Sequence, residues 1–323
     1  MIDVGIVGAG RLAEVIASLL ARGPARVRLW ARKPEAAESL ASRVAGTVAH
    51  RDPAEVLGPA SLVILAVPAG ALSEASDVLG PFARGDQVVL HACRGVSPGF
   101  VLPHQSIRAK TCVRKIAALG GPLHARELHL GRPLAAVVAS RYSEASELVA
   151  KLVKGSIVRV HPSRDLVGVE IAGAFSNVGA IAQGISEGLE LGETSRGVLA
   201  LRGLAEAQRI GALFGADPAT FGGLAGVGDL VPRRTSSADR HLMLGRRLAK
   251  GMALAEALEG VDPTSVEGIG TALEARALTE SRGARAPLVS AVAAVLGGKD
   301  PRGVMDDLLS QDLEGLAFSR SEC

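Results

Sequence analysis

A chain of 323 residues holds about two domains of ordinary size and can bury a core without covalent or metal staples. Its composition, 48% hydrophobic and 21% charged, excludes a disordered chain. A net charge of +3, with six Phe, one Trp and one Tyr, leaves neither the basic surface nor the stacking platforms of a nucleic-acid binder. The cysteines Cys93, Cys112 and Cys323 form no CxxC pair and the seven histidines no HExxH pair, so no metal is expected. Ile2–Val7 is apolar, but Asp3 interrupts it and no basic segment precedes it. No run reaches the roughly 18 uninterrupted apolar residues of a membrane span. The expectation is a cytoplasmic protein without membrane or nucleic-acid partners.

In chain order, Ile2–Val7 reads as a strand. Arg11–Arg22 reads as a helix, because Leu12, Val15, Ile16, Leu19 and Leu20 share one face, and Gly23-Pro24 stops it. Val27–Trp30, Leu62–Val67 and Gln87–His91 read as further strands. Ala71–Leu79 and Ser143–Val153 read as helices, and Ala135–Val138 and Ile157–Val160 as the last strands. Such alternation, with strands that are apolar throughout, predicts a doubly wound parallel sheet of the Rossmann type. Near Ser163 the β-branched runs stop. Leu166–Leu191 and Ser195–Phe214 read as long helices, with shorter ones to Leu309. The predicted organisation is an α/β domain over 1–163 and an all-α domain over 164–323. Gly173, Gly179 and Gly184 inside the first long helix mark either close helix packing or approach to a ligand.

Gly8-Ala9-Gly10-Arg11-Leu12-Ala13 is a GxGxxA fingerprint between a strand and an amphipathic helix, the context in which it binds dinucleotides. Gly8 permits the turn and Gly10 lets a pyrophosphate approach the backbone. Ala13 lets helix and strand pack closely, and the phosphates meet free N–H groups at the start of the helix, around Arg11 and Leu12. NAD enzymes usually place an acid about 20 residues on, at the end of the second strand. Here that strand ends in Trp30-Ala31-Arg32-Lys33, and the first acid is Glu35. The two cations suit a 2′-phosphate, so NADP is favoured and NAD remains possible. Ala66-Val67-Pro68 closes another strand and places Val67 and Pro68 at the same edge.

The order of motifs resembles the NAD(P)-dependent glycerol-3-phosphate dehydrogenase family from Ile2 to about Leu309. To the fingerprint and AVP are added RLWARKPE at Arg28–Glu35, GGP at Gly120–Pro122 and GVEIAGAFSNVGAIAQGI at Gly168–Ile185. A long match at Arg202–Val231, VEG at Val266–Gly268 and GKDPR at Gly298–Arg302 complete it. The resemblance implies a Rossmann domain followed by a helical domain, an active site in the cleft of the two, a small anionic ketone or alcohol as substrate, and a homodimer.

The same resemblance implies the site residues, and here the chain departs from the pattern. The family's LKN reads Phe175-Ser176-Asn177, so its catalytic lysine is replaced by Ser176. An earlier Lys-Gly reads Arg94-Gly95. Asp229 is kept, a family threonine falls on Arg233, and the phosphate-binding Arg-Asn pair reads Arg240-His241. Glu267 matches a cofactor contact, and Pro122 with His124 lies on a substrate loop. Asp229, Ser176, Asn177, Arg94 and His241 are therefore the candidate catalytic residues, and Arg240, Arg233, Pro122 and His124 the candidate substrate contacts. Lys115 is the nearest spare lysine in sequence order. A serine hydroxyl is a poor acid at neutral pH, and loss of acid–base help costs about 10²–10⁴-fold. Three readings follow: an oxidoreductase in which another group, such as His241 or Arg94, replaces the lysine; an imine reductase that gains from its loss; or a cofactor-binding protein without turnover.

Overall fold

The computed structural model describes residues 1–122, 127–128, 130–233 and 239–312. The chain forms two compact units, one of residues 1–93 and 101–170, the other of residues 94–100 and 171–323. The division falls inside a helix at Glu170, seven residues beyond Ser163, and a short segment from the first half of the chain joins the second unit.

In the first unit the strands are β1 (Ile2–Val7), β2 (Ala25–Trp30), β3 (Thr47–Ala49), β4 (Leu62–Leu65), β5 (Val88–His91), β6 (Lys115–Gly120), β7 (Leu134–Ser140) and β8 (Val158–Ser163). They form one eight-stranded sheet in the order β3-β2-β1-β4-β5-β6-β7-β8. Every pairing is parallel except β6 with β7, so the sheet is doubly wound with one reversal near its far end. The helices are α1 (Arg11–Ala21), α2 (Pro34–Arg43), α3 (Pro53–Leu57), α4 (Ala69–Leu79), α5 (Pro103–Lys110) and α6 (Ser143–Leu152).

The strands read as apolar throughout because both faces of the sheet are covered. Leu62 and Ile64 face the layer of α1, α2 and α6, with Ala13, Ile16, Leu40 and Val149. Val63 and Leu65 face the opposite layer of α3, α4 and α5, with Leu57, Leu72 and Ile107. β3 carries no such signal, since it is three residues long at the edge and its Val48 is exposed. At β6 the sheet meets the helix α7 (Leu166–Gly188) at a glycine: a Cβ on Gly120 would lie 2.6 Å from Val169 Cγ1.

The second unit is helical. It takes α7 from Ile171 onward, then α8 (Gly192–Ala212), α9 (Pro218–Gly222), α10 (Val227–Arg233), α11 (Arg240–Ala249) and α12 (Leu254–Ala257). α13 (Glu267–Arg282), α14 (Pro287–Leu296) and α15 (Pro301–Ser310) follow. Among the described residues α7 alone has the length and hydropathy of a membrane span, and its most apolar stretch is entirely buried within the protein. Gly184 settles one of the helical glycines as packing, because a Cβ there would overlap the Leu242 carbonyl oxygen on α11. The N-terminus of α14 has no side-chain cap of its own. Glu206 on α8 supplies one, accepting from the N–H groups of Leu288 at 2.7 Å and Val289 at 3.0 Å. Burial pushes the Glu206 carboxyl up to about 7, against the pull of those two N–H groups and of Arg209 and Arg202.

Two measurements check this account. Gly120→Ala is expected to destabilise the protein by about 1–3 kcal/mol through overpacking against Val169, and Val169→Ala in the same chain should recover part of the loss in a urea titration. Because Glu206 holds its proton more tightly folded than unfolded, stability should fall as pH rises from about 4.5 to about 7. Glu206→Gln should flatten that slope.

Candidate active site

At the carboxyl edge of the first unit, β1 ends in the fingerprint. Gly8 takes φ +116° and its N–H donates to the Trp30 carbonyl at 2.9 Å. A Cβ there would sit 2.6 Å from the Ala66 carbonyl oxygen and 3.4 Å from Val67 Cγ1, so only glycine lets β1 turn between β2 and β4. Gly10 differs. It precedes α1 in an extended conformation, no side chain caps that helix, and a Cβ would meet nothing within 4 Å. No described residue crowds position 10, so the space in front of its backbone is open, as close approach of a phosphate needs. Ala13 is fully buried under the sheet, and Arg11 is exposed at the first turn. Val67 follows β4, and Pro68 is the residue before α4. Arg32 and Lys33 follow β2, with Lys33 at the cap of α2 and the Arg32 guanidinium donating to Glu74 on α4 at 2.8 Å. These residues fit a dinucleotide. Pro122 follows β6, and Lys115 begins β6 at the opposite edge of the sheet, 3.9 Å from Glu144, which removes it from consideration as an acid. Cys93 is buried with its thiol directed to the Val67 carbonyl at 3.2 Å.

The second unit assembles a polar cluster around Asp229. This carboxylate, near the start of α10, has no exposed surface. The Arg94 guanidinium donates to its Oδ2, and the Ser176 hydroxyl, on α7, donates to the same oxygen at 2.5 Å. The main chain of Arg94 is clamped as well: its carbonyl accepts from Asn177 Nδ2 at 2.7 Å, and its N–H donates to Glu267 Oε1 at 3.2 Å. The Arg94 Nε–H is buried without a hydrogen-bond partner among the described residues. Gly173, one turn before Asn177, keeps the space beside it open, since a Cβ there would lie 3.8 Å from that nitrogen. His241 is also buried, but its Nε2 accepts from the Gly268 N–H at 3.2 Å and its Nδ1 lies 3.4 Å from Asp239 Oδ1. Both ring nitrogens are engaged, so the imidazole supports the start of α13. Arg240 is exposed at the first position of α11 and donates to the Ser265 carbonyl at 3.2 Å. His124, Cys323 and the side chain of Arg233 lie outside the described residues.

Two family models match this chain: the N-terminus of NAD-dependent glycerol-3-phosphate dehydrogenase over residues 3–146 and its C-terminus over residues 165–306. The glycerol-3-phosphate dehydrogenase [NAD(P)+] of Moorella thermoacetica is 35% identical over 314 residues, covering 93% of both chains. That of Geobacter metallireducens is 36% identical over 332 residues, covering 96% of this chain and 97% of its own. The crystal structure of the Coxiella burnetii glycerol-3-phosphate dehydrogenase superposes with a TM-score of 0.88 at 29% identity, over 95% of this chain and 98% of the other. The chain belongs to the NAD-dependent glycerol-3-phosphate dehydrogenase family.

It is thus an NAD(P)-dependent oxidoreductase by family, with a Rossmann unit and a helical unit as expected. One feature of the first unit escaped the sequence. Glu170, in the matched GVEIAGAF stretch, is fully buried on α7 between two histidines. His104 Nδ1 lies 2.6 Å from its Oε2, and the His104 N–H donates to Oε1 at 2.8 Å, capping α5. His91 Nε2, at the end of β5, lies 2.8 Å from Oε1, close enough for an ion pair though not aligned as a hydrogen bond. Burial pushes the Glu170 carboxyl up, but the imidazoles of His104 and His91 more than offset it and hold the carboxyl below its ordinary value. No spacing rule connects positions 91, 104 and 170. The cluster fixes the end of β5 at His91, three residues before Arg94.

A carboxyl depressed by folding contributes stability above its unfolded pKa and loses it as pH falls through the lower folded value. Glu170→Gln is expected to cost about 3–5 kcal/mol at neutral pH, as breaking a buried charged pair does. The variant should also lose stability less steeply on acidification, which thermal melts across the acid range would show.

Proposed function

We propose that this chain interconverts glycerol 3-phosphate and dihydroxyacetone phosphate with NADPH favoured over NADH, and that Arg94 supplies the positive charge that Ser176 no longer can. The observation that carries the proposal is the Arg94 guanidinium, tied to a fully buried Asp229 that Ser176 also engages, with no partner for its Nε–H among the described residues. A buried donor without a partner calls for an explanation, and a substrate oxygen is one. When bound, the reduced nicotinamide supplies a hydride to the carbonyl carbon. Negative charge then grows on the carbonyl oxygen, and a preorganised guanidinium stabilises it without reorganising. Asp229 holds the guanidinium, Asn177 and Glu267 fix its backbone, and Ser176 shares the load on the carboxylate. Arginine keeps its protons at all working pH values, so the proton that completes the alcohol comes from water. Arg240, exposed at the first turn of α11, is the residue proposed to meet the phosphate. Arg32 and Lys33 support NADPH.

The imine alternative rested on a missing cation, and Arg94 removes that motive. No observation favours a binding role without turnover. A cytoplasmic homodimer belongs to the same reading; exposed apolar side chains of the second unit, Leu201, Leu213, Val231 and Leu273, are consistent with a partner copy.

Arg94→Ala should lower kcat for dihydroxyacetone phosphate reduction by about 10²–10³-fold, the size of losing one oxyanion donor. Arg94→Lys should keep part of the activity but lose it at alkaline pH, as an ammonium deprotonates. The native enzyme should show no such limb. Equal activity in native and Arg94→Ala proteins, read by NADPH oxidation, would sink the assignment.

A further inference from the structure

The Arg32–Glu74 pair crosses the carboxyl edge of the sheet where the fingerprint lies. β2 and β4 flank β1. Arg32 stands two residues past the end of β2, and Glu74 sits on α4, the helix that follows β4. The bond from Arg32 Nη1 to Glu74 Oε2 therefore links the segment after β2 to the helix after β4, the two strands that flank β1. Its acid comes from α4, which packs on the face of the sheet opposite α2, the helix that Arg32 precedes. The pair is in water, with side chains 72% and 56% exposed, and so contributes little to stability. The acids of α2 do not share this role: Glu38 bonds Arg51 at 2.9 Å, and Glu35 acts on Arg51 too.

NADP-binding Rossmann proteins place an arginine near the end of the second strand for the 2′-phosphate, and NAD-binding ones place an acid there for the ribose hydroxyls. This protein brings both to one spot, the arginine from the strand end and the acid from a helix on the far layer. We propose that Glu74 sets the choice between the two dinucleotides by competing with the 2′-phosphate for Arg32. The proposal rests on the cofactor reading above. A neutral 2′-hydroxyl leaves the pair intact. A 2′-phosphate must either displace the carboxylate from the guanidinium or sit beside a like charge, and both cost affinity. Glu74 thus moderates the NADP preference that Arg32 and Lys33 alone would give, and keeps NADH usable.

The test is equilibrium binding of NADPH and of NADH to the full-length protein, followed by the fluorescence of the reduced nicotinamide, for the native chain, Glu74→Gln and Arg32→Gln. Glu74→Gln should tighten NADPH relative to NADH by about fivefold, the size of one exposed charge interaction. Arg32→Gln should shift the ratio the other way. An unchanged ratio in Glu74→Gln overturns the proposal. So does a shift towards NADH, which would make Glu74 a support that aims Arg32 at the phosphate. If the native protein binds neither dinucleotide, the cofactor reading fails and the proposal with it.

Discussion

A carboxylate with no exposed surface must be neutralised where it stands, and Asp229 sets that demand at the centre of the second unit. The answer comes from two distant parts of the chain, Arg94 from the segment after β5 and Ser176 from the middle of α7. Meeting it draws Arg94–Phe100 out of the first half of the sequence and into the helical unit. It also recruits Asn177 and Glu267 to hold the Arg94 backbone. Asp229 is thus met by one fixed guanidinium and one neutral hydroxyl.

The carboxyl edge of the first unit follows a different constraint. A turn between two neighbouring strands leaves no room for a side chain at Gly8, while position 10 is open. The first glycine is demanded by the protein, while no described residue demands the second. Arg32, just past β2, donates to Glu74 on α4, the helix that follows β4.

Two buried glutamates show how remote side chains take up the backbone N–H groups at helix starts. Glu206 closes the start of α14 and Glu170 the start of α5. Their titration diverges because their neighbours do. Burial dominates at Glu206 and raises it, whereas His104 and His91 overcome burial at Glu170 and lower it. A helix N-terminus and a carboxylate are the common ingredients, and the third partner decides the sign.

The sequence by itself determined the strands, the long helices and the fingerprint, because hydrophobic period and glycine spacing are local. It also singled out Arg94, Ser176, Asn177 and Asp229, which the structure brings into one hydrogen-bonded cluster. It did not reveal β3 or the pairing of β6 against β7, since an edge strand of three residues and a reversed neighbour leave no periodic trace. Nor could it show that His241 has both nitrogens engaged, that Lys115 begins its strand at the wrong edge, or that Glu74 meets Arg32 and Glu170 meets two histidines. Those contacts join positions tens of residues apart. Only the tertiary structure decided them, because which charges meet in a low-dielectric interior depends on how the layers pack and not on the spacing of residues along the chain.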